Sequence, residues 1–301
     1  MRWKIFLSHV RIMGNPHPFR CFTLHDLKEK TVKELEKKAE LLRRHVIRMI
    51  HAAGSGHPGG SLSSADILTA LFFDIMDHSP ESGSSQDRDH FILSKGHAAP
   101  IYYAALAECG YFPTEELITL RKLHSRLQGH PSRVKTPGVE MSTGSLGQGL
   151  SVANGLALAL RLQGLDRKVF CLCGDGEMAE GQIWEAAMFA AHNRLDNVIC
   201  IIDRNGLQID GQTEEVMALE PLGDKWKSFG WNVLFMDGND MWQVLDTIGM
   251  AMEHNGSPTV IVAKTVKGKG VSFMENNVGF HGKAPDDKEY EQAMRELGGS
   301  A

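Results

Sequence analysis

The 301-residue chain has few of the features that mark membrane, nucleic-acid-binding or disulfide-stabilised proteins. No run of 18 apolar residues could span a bilayer, and the net charge of −5 argues against a nucleic-acid platform. The five cysteines are an odd number without C-x-x-C spacing, and three of them fall in predicted core strands. We therefore expect reduced, buried thiols in a soluble cytoplasmic protein with a small substrate. The cysteines are Cys21, Cys109, Cys171, Cys173 and Cys200.

The sequence motifs of the common nucleotide-binding sites are either absent or lie in a structural context that does not suit nucleotide binding. No G-x-x-x-x-G-K-[ST] phosphate loop occurs in the sequence. Residues 54–59 match the dinucleotide pattern G-x-G-x-x-G, but they follow a charged helical segment where a strand is required. Pro58 would also remove a backbone donor that a phosphate cradle uses. ATP and nicotinamide sites are therefore disfavoured.

Short apolar runs alternate with amphipathic segments, which predicts an α/β fold with a doubly wound, mostly parallel sheet and helices on both faces. No linker, repeat or change in composition divides the chain. We therefore predict one domain at residues 26–301. Residues 1–25 are predicted to be an N-terminal extension that is either flexible or the result of a wrongly assigned translation start. The predicted strands are 91–93, 169–173, 198–202, 231–236 and 259–263. The predicted helices are 27–53, 64–76, 98–108, 115–123, 180–192 and 241–252, and a further helix is predicted to begin at Gly149. Thr114 is the predicted N-cap of the helix 115–123.

Two neighbouring predicted strands end in residues that suit a metal site. Gly174-Asp175-Gly176 follows one apolar run, and Asn205 follows the next. Ligands bind beyond the carboxyl ends of parallel strands, so these side chains should meet. The glycines let the backbone approach a ligand closely, and carboxylate and amide oxygens suit Mg²⁺ or Ca²⁺. A single G-D-G is more often only a turn, but with Asn205 the pattern predicts a diphosphate-metal site.

This segment resembles the thiamine-diphosphate signature of transketolases, and an ordered series of short motifs extends the resemblance from about Leu41 to Pro285. Transketolases continue into a pyrimidine-binding domain whose glutamate activates the cofactor. The resemblance therefore implies the N-terminal subunit of a split transketolase. The motifs are Gly54-Ser-Gly-His-Pro-Gly-Gly60, Leu93-Ser-Lys-Gly-His97, Gly129-His-Pro131, Ser142-Thr-Gly-Ser-Leu-Gly-Gln-Gly149, Gly174-Asp-Gly-Glu-Met-Ala-Glu-Gly181 and Phe280-His-Gly282.

The resemblance implies transfer of a two-carbon ketol unit from a ketose phosphate to an aldose phosphate, as in the pentose phosphate pathway. It implies thiamine diphosphate and Mg²⁺ as cofactors, with Ca²⁺ or Mn²⁺ able to replace the Mg²⁺. The expected partner is a separate C-terminal subunit that carries the pyrimidine-binding domain, within an α2β2 heterotetramer. Two alternatives stay open, namely the alpha subunit of a 2-oxo acid dehydrogenase and a non-catalytic regulatory subunit.

The resemblance also implies roles for four residues in catalysis. His130 and His281 contact the carbonyl and hydroxyl groups of the donor, with His281 as the leading proton-transfer residue and His57 acting on the same oxygens. Histidine suits this work because its unperturbed pKa is near 6.5. Glu180 joins an acidic network near the partner's activating glutamate, although a carboxylate at the start of a helix can serve only the helix dipole.

The remaining implied roles concern the cofactor and its metal. His97 donates to a phosphate oxygen, and Gly174 and Gly176 lie against the diphosphate. Gly144, Leu146 and Ile209 contact the cofactor's rings, although small residues after Gly144 also favour tight helix packing. The implied metal ligands, which also bind the cofactor through the metal, are the side chains of Asp175 and Asn205 and the backbone carbonyl of Leu207.

Overall fold

A computed structural model of the chain describes residues 24–82, 85 and 87–299. The predicted extension at residues 1–25 lies outside the described residues except for its last two, which belong to the first helix. Within the part of the chain that the structure describes, no helix combines the length and the apolar character that crossing a bilayer requires.

Parallel strands form the central sheet, as the alternating pattern predicts. The strands are β1 (His90–Leu93), β2 (Val169–Gly174), β3 (Val198–Arg204), β4 (Leu207–Gln208), β5 (Gly211–Gln212), β6 (Asn232–Asp237) and β7 (Thr259–Lys264). The order in the five-stranded sheet is β1-β2-β3-β7-β6, and all its pairs are parallel, whereas β4 and β5 form a separate antiparallel pair. A parallel sheet must be covered on both faces, which explains the nearly continuous apolar runs.

Helices cover both faces of this sheet, so the doubly wound α/β architecture is confirmed. They are α1 (Leu24–Ala53), α2 (Pro58–Ser63), α3 (Ala65–Ala70), α4 (Ala99–Glu108), α5 (Gly149–Leu162), α6 (Gly181–His192), α7 (Thr213–Val216), α8 (Leu222–Ser228), α9 (Met241–Glu253) and α10 (Asp287–Glu296). Alternate strand residues face opposite sides, so Phe170 and Leu172 pack with α1, α3, α4 and α9, whereas Cys171 and Cys173 pack with α5, α6 and α8.

The predicted helix 64–76 corresponds to α3 and the π-helical turn that continues it, and the short helix α2, which was not predicted, precedes it. Ser64 lies at the junction between α2 and α3, and a π-helical turn, Leu71–Ile75, follows α3. The hydroxyls of Ser63 and Ser64 donate to the Gly60 carbonyl at 3.1 and 2.9 Å. Serine hydroxyls that bond to the backbone in this way compete with the helical ladder and bend it, and hydrophobic periodicity does not register that effect.

The predicted helix 115–123 is wrong. Residues Thr114–Thr119 form a 3₁₀-helix, and Pro113 occupies the N-cap position that was predicted for Thr114. The chain then turns away, because the Arg121 amide donates to the Leu127 carbonyl at 2.9 Å and Arg121 has a φ of 60°. A residue in this left-handed region is incompatible with a continuing helix. Glycine usually marks such a position in a sequence, but no glycine occurs there.

The register of the strands aligns their carboxyl ends. Gly174 at the end of β2 pairs with Asp203 in β3, and Arg204 pairs with Lys264 at the end of β7. Asp175, Asn205 and the loop after β7 therefore emerge at the same edge of the sheet, which is where a doubly wound fold binds its ligands.

Helix α10 begins with a reciprocal capping box that can be tested by mutation. The Asp286 carboxylate accepts from the Glu289 amide at 2.8 Å, and the Glu289 carboxylate accepts from the Asp286 amide at 2.9 Å. Asp286→Ala should lower the free energy of unfolding by about 1 kcal/mol, within a range of roughly 0.5–2. Urea denaturation measures this loss, and Lys288→Ala, an exposed change in the same turn, is the control that should have little effect.

Candidate active site

A cavity of about 310 Å³ opens at the carboxyl edge of the sheet. The segments that line it come from α2, from the loops after β1, β2, β3 and β7, and from the segments around residues 130, 144 and 281. Every residue predicted for catalysis, cofactor binding or metal binding lines this cavity, with the exception of Glu180. These residues are His57, His97, His130, Gly144, Leu146, Gly174, Asp175, Gly176, Asn205, Leu207, Ile209 and His281.

Glu180 lies outside the cavity, at the N-cap position of α6. Its side chain is exposed and makes no capping hydrogen bond. It packs instead beside Gly147, where an added Cβ would lie 2.7 Å from the Cβ of Glu180. The structure therefore places this carboxylate on the surface next to the segment that carries Gly144 and Leu146.

Four histidine rings lie around the cavity, and three of them lie within contact range of the fourth, His57. The centroid of the His57 ring is 5.4 Å from that of His97, 6.2 Å from that of His130 and 5.5 Å from that of His281. Burial, with the nearby Arg121 charge, lowers the pKa of His57 to about 4. Burial, with Lys267, lowers the pKa of His281 to about 4, and burial also lowers those of His97 and His130. All four imidazoles are therefore neutral at pH 7.

Lys267 fixes the tautomer of His281. Its ammonium lies 2.9 Å from the Leu207 carbonyl oxygen and 2.9 Å from His281 Nδ1. Because an ammonium can only donate, Nδ1 accepts and the His281 ring carries its proton on Nε2. Burial lowers the pKa of Lys267 to about 8. Sequence reasoning missed this residue, although a lysine soon after the predicted strand 259–263 was a usable signal.

Asp175 and the loop after β3 are joined by direct hydrogen bonds. Asp175 Oδ1 accepts from the Gly176 amide at 2.8 Å, and Oδ2 accepts from the Gly206 amide at 2.6 Å and from Arg204 Nη1 at 3.2 Å. Burial and the charge of Asp203 raise the pKa of Asp175, while these hydrogen bonds and Arg204 oppose the rise. In the same loop, Asn205 Oδ1 accepts from the Leu207 amide at 3.1 Å.

The oxygen atoms at this edge fit a hard divalent cation. The described residues contain no cluster of three or more His, Cys, Asp or Glu side chains that could hold a metal, so the donors must be of mixed type. Asp175 offers a carboxylate, Asn205 an amide oxygen and Leu207 a carbonyl, which is the donor chemistry that Mg²⁺ prefers. The Leu207 carbonyl accepts from the Lys267 ammonium at 2.9 Å, and a carbonyl oxygen has a second lone pair that could bind a cation.

Two buried polar atoms beside the cavity suggest a polar ligand. His57 Nδ1 and Thr143 Oγ1 have no hydrogen-bond partner among the residues that the structure describes. Unpaired buried groups of this kind are costly unless a bound molecule supplies the partner. The backbone also comes close, because a Cβ on Gly144, at φ 144°, would lie 3.0 Å from the His130 ring. The site therefore has both the polar groups and the narrow space that suit a bound cofactor.

Sequence reasoning also missed two buried carboxylates at the cavity. Glu177 accepts from Ser94 Oγ and from the amides of Gly147 and Gly174 at 2.8 and 2.9 Å, so it joins three loops of the site. Burial raises the pKa of Glu177 to about 8. Asp203 is fully buried and pairs with Lys95 at 2.5 Å. No spacing rule marks either residue, because Glu177 meets Ser94 only through the pairing of β1 with β2, and Asp203 meets Lys95 only because β1, β2 and β3 lie side by side.

The low pKa values of His57 and His281 predict a pH dependence of stability. The unfolded chain binds protons at these residues below about 6.5, whereas the folded chain does so only near pH 4. The unfolded state therefore holds more protons in this window, and stability is lost as the pH falls through it. The melting temperature should fall more steeply from pH 6.5 to 4.5 in the native chain than in His57→Gln/His281→Gln, with the exposed His192→Gln as control.

Comparison with known proteins agrees with this geometry. Residues 35–301 match the family model described as "Transketolase, thiamine diphosphate binding domain". The chain is 45% identical over 265 residues to one of the subunits of the apulose-4-phosphate transketolase of Actinobacillus succinogenes, covering 88% of this chain and 96% of that protein. It is 43% identical over 264 residues to "6-deoxy-6-sulfo-D-fructose transketolase subunit SqwG" of a Clostridium species, again covering 88% and 96%.

Solved transketolases share the fold. The structure from Campylobacter jejuni superposes with a TM-score of 0.84 at 33% identity and covers 89% of this chain. A structure from Pichia stipitis gives a TM-score of 0.85 at 32% identity and covers 88%. The chain spans only 43% and 41% of the length of those two proteins.

The family match, on a doubly wound sheet with a cavity at its carboxyl edge, assigns the chain to the thiamine-diphosphate-binding class. Within that class, the chain belongs to the transketolase family and matches its thiamine-diphosphate-binding domain. This match favours the transketolase interpretation over the 2-oxo acid dehydrogenase alternative.

Proposed function

We propose that this chain is the thiamine-diphosphate-binding subunit of a split transketolase, which transfers a two-carbon ketol unit from a ketose phosphate to an aldose phosphate. The observation that carries the proposal is that four neutral histidines and the oxygen set of Asp175, Asn205 and Leu207 line one cavity. The two relatives named as transketolase subunits match the chain over nearly their whole length, which supports the division into subunits.

The proposed cofactor site uses the two ends of the cavity differently. Asp175, Asn205 and the Leu207 carbonyl would hold Mg²⁺, or Ca²⁺ or Mn²⁺ in its place, and the metal would neutralise the charge of the diphosphate. His97 and Lys267 donate to phosphate oxygens, and Gly174 and Gly176 allow a close approach. At the other end, Leu146, Ile209 and the backbone of Gly144 would hold the rings of the cofactor.

When bound, thiamine diphosphate would supply the carbon nucleophile for the ketose carbonyl. The protein's own part is to orient the sugar and to move its protons. His281 presents Nε2–H, so it can donate to a developing oxygen anion, and its partner Lys267 holds that tautomer. His57 and His130 are neutral and can accept a hydroxyl proton or donate to an oxygen. A neutral imidazole has one unprotonated ring nitrogen, which can accept a proton as a general base does.

The proposed partner is a C-terminal subunit with the pyrimidine-binding domain, in a cytoplasmic α2β2 heterotetramer. Large apolar side chains are exposed on segments adjoining those that line the cavity, which suits an interface between subunits. Leu123 is 87% exposed, Val134 90% and Ile209 67%. The exposed Glu180 lies close to the segment after Gly144, where it would face the partner's activating glutamate. We propose phosphorylated sugars as substrates, with the pentose phosphates the first to test.

A ketol-transfer assay tests the proposal. Xylulose 5-phosphate and ribose 5-phosphate are supplied with Mg²⁺ and thiamine diphosphate to this chain alone, to the product of the neighbouring gene alone, and to the two co-purified. Activity only in the mixture is the expected result. Turnover by this chain alone would refute the need for a partner. A mixture that binds the cofactor but is silent would exclude the pentose phosphates and direct the assay to sulfonated or branched ketoses, and a mixture that binds no cofactor would overturn the proposal.

A further inference from the structure

Asp203 is the centre of a buried hydrogen-bond network directly behind the proposed metal ligands. Its side chain is fully buried at the carboxyl end of β3. Lys95 Nζ donates to Oδ2 at 2.5 Å and Ser63 Oγ to the same oxygen at 2.8 Å, while Thr265 Oγ1 donates to Oδ1. The network therefore joins the loop after β1, helix α2, strand β3 and the residue after β7 at one point.

A further donor to Asp203 is the proposed metal ligand itself. Asn205 Nδ2 lies 3.1 Å from Asp203 Oδ2. A carboxylate only accepts, so the NH₂ end of the amide must face Asp203. The Leu207 amide donates to Asn205 Oδ1 at 3.1 Å, which fixes the oxygen end on the opposite side. Both contacts therefore select the same orientation of the amide, with its oxygen available to the cavity.

Resting on the proposed function, we infer that Asp203 is a positioning residue for the metal: its carboxylate holds the Asn205 amide in the orientation that presents Oδ1 to the cation. Groups that orient metal ligands in this way typically change metal affinity by about 10- to 100-fold when they are lost. An amide turned by half a rotation would present an NH₂ group, which cannot bind a cation. Lys95 balances the carboxylate, so that Asp203 itself adds little net charge to the site.

The test must distinguish the effect of losing the contact between Asp203 and Asn205 from the effect of destabilising the whole hydrogen-bond network. Replacing both members of a buried ion pair with residues of similar size is commonly tolerated, whereas leaving one charge unpaired is not. Two double variants are therefore compared, Lys95→Met/Asp203→Asn and Lys95→Met/Asp203→Leu. They share the neutralised Lys95 and are matched in size at position 203. Only the asparagine variant keeps a side-chain oxygen that can accept from Asn205 Nδ2, whereas the backbone carbonyl of residue 203, which lies 3.5 Å from Nδ2, is common to both variants.

Metal binding is measured on the full chain without any activity assay. Mn²⁺ is titrated in the presence of excess thiamine diphosphate, and free Mn²⁺ is followed by electron paramagnetic resonance, corrected for the metal that the cofactor binds in solution. The leucine variant should bind Mn²⁺ about 10- to 100-fold more weakly than the asparagine variant. Ser63→Ala, which removes another donor to Asp203 without touching Asn205, should leave the affinity almost unchanged.

Equal affinities of the two double variants would overturn the inference. An equally weakened Ser63→Ala variant would also overturn it, because the network as a whole would then be responsible. If the leucine variant does not fold, Lys95→Met/Asp203→Thr replaces it, since threonine suits a strand and is too short to reach the amide. Failure of the native chain to bind Mn²⁺ at all would instead refute the proposed metal site.

Discussion

Replacing His281 with alanine is expected to lower the turnover of the assembled enzyme by roughly 10² to 10⁴, the usual contribution of a positioned proton-transfer group. His281 lies at the cavity beside His57 and presents Nε2–H, while the Lys267 ammonium on Nδ1 can replace the proton that Nε2 gives up, so the ring can pass a proton to the substrate. Steady-state ketol transfer measures the loss, which should appear mainly in kcat. A change of less than a few-fold would remove His281 from the mechanism.

Two further variants show whether the lower turnover of His281→Ala comes from a lost proton transfer or from a lost hydrogen bond. His192→Ala removes an exposed histidine at the end of α6 and should leave turnover unchanged. His281→Gln keeps a hydrogen-bond donor of similar reach but cannot transfer a proton near neutral pH. If the residue only donates a hydrogen bond, glutamine should restore most of the activity, whereas a proton-transfer role leaves it close to the alanine variant.

Asp175→Asn is expected to weaken metal-dependent binding of thiamine diphosphate by roughly 30- to 5,000-fold. Removing one charged partner from a buried, hydrogen-bonded pair costs about 2–5 kcal/mol, and each 1.4 kcal/mol is a factor of ten. Asp175 is 2% exposed and accepts from Arg204 and from two backbone amides, so an amide in its place must turn an NH₂ group towards donors. Quenching of tryptophan fluorescence during titration with the cofactor measures the affinity.

The metal provides the internal control for Asp175. In the native chain, EDTA should weaken cofactor binding strongly, whereas in Asp175→Asn the difference between Mg²⁺ and EDTA should nearly vanish. Asp210→Asn removes the same charge from an exposed residue at the mouth of the cavity and should change the affinity little. Full Mg²⁺ dependence in the Asp175 variant would mean that another group holds the metal.

The strands were the most predictable part of the fold, because their apolar runs are long enough to be buried on both faces. The predicted strand 198–202 is the first part of β3, and 259–263 is nearly all of β7. The failures lie where side chains bond to the local backbone. The serines around Ser64 separate α2, which was not predicted, from the predicted helix 64–76, and the chain leaves the predicted helix 115–123 at Leu120, before Arg121 adopts a left-handed conformation. Periodicity measures burial, so it cannot detect either effect.

The residues of the candidate site also fall into two groups, those that a sequence motif marks and those that only the fold brings together. His57, His97, His130 and His281 stand in short motifs, and the structure brings them into one cavity, although their roles stay predictions. Lys267 carries no such mark and is identified only by its contact with His281. Asp203 has a neighbour, Asn205, that sequence reasoning did select. Its own importance arises from Lys95, which reaches it only because β1, β2 and β3 lie side by side.

The reactivity of the three thiols of β2 and β3 can be used to measure how often the central strands of this chain separate. Cys171, Cys173 and Cys200 are fully buried, with Sγ separations of 3.8 Å between Cys171 and Cys173 and 3.9 Å between Cys173 and Cys200. Iodoacetamide can reach them only when the central strands separate, so their rate of alkylation measures how often that happens. These strands end at the cofactor cavity, and a molecule bound there should therefore slow the alkylation of all three together.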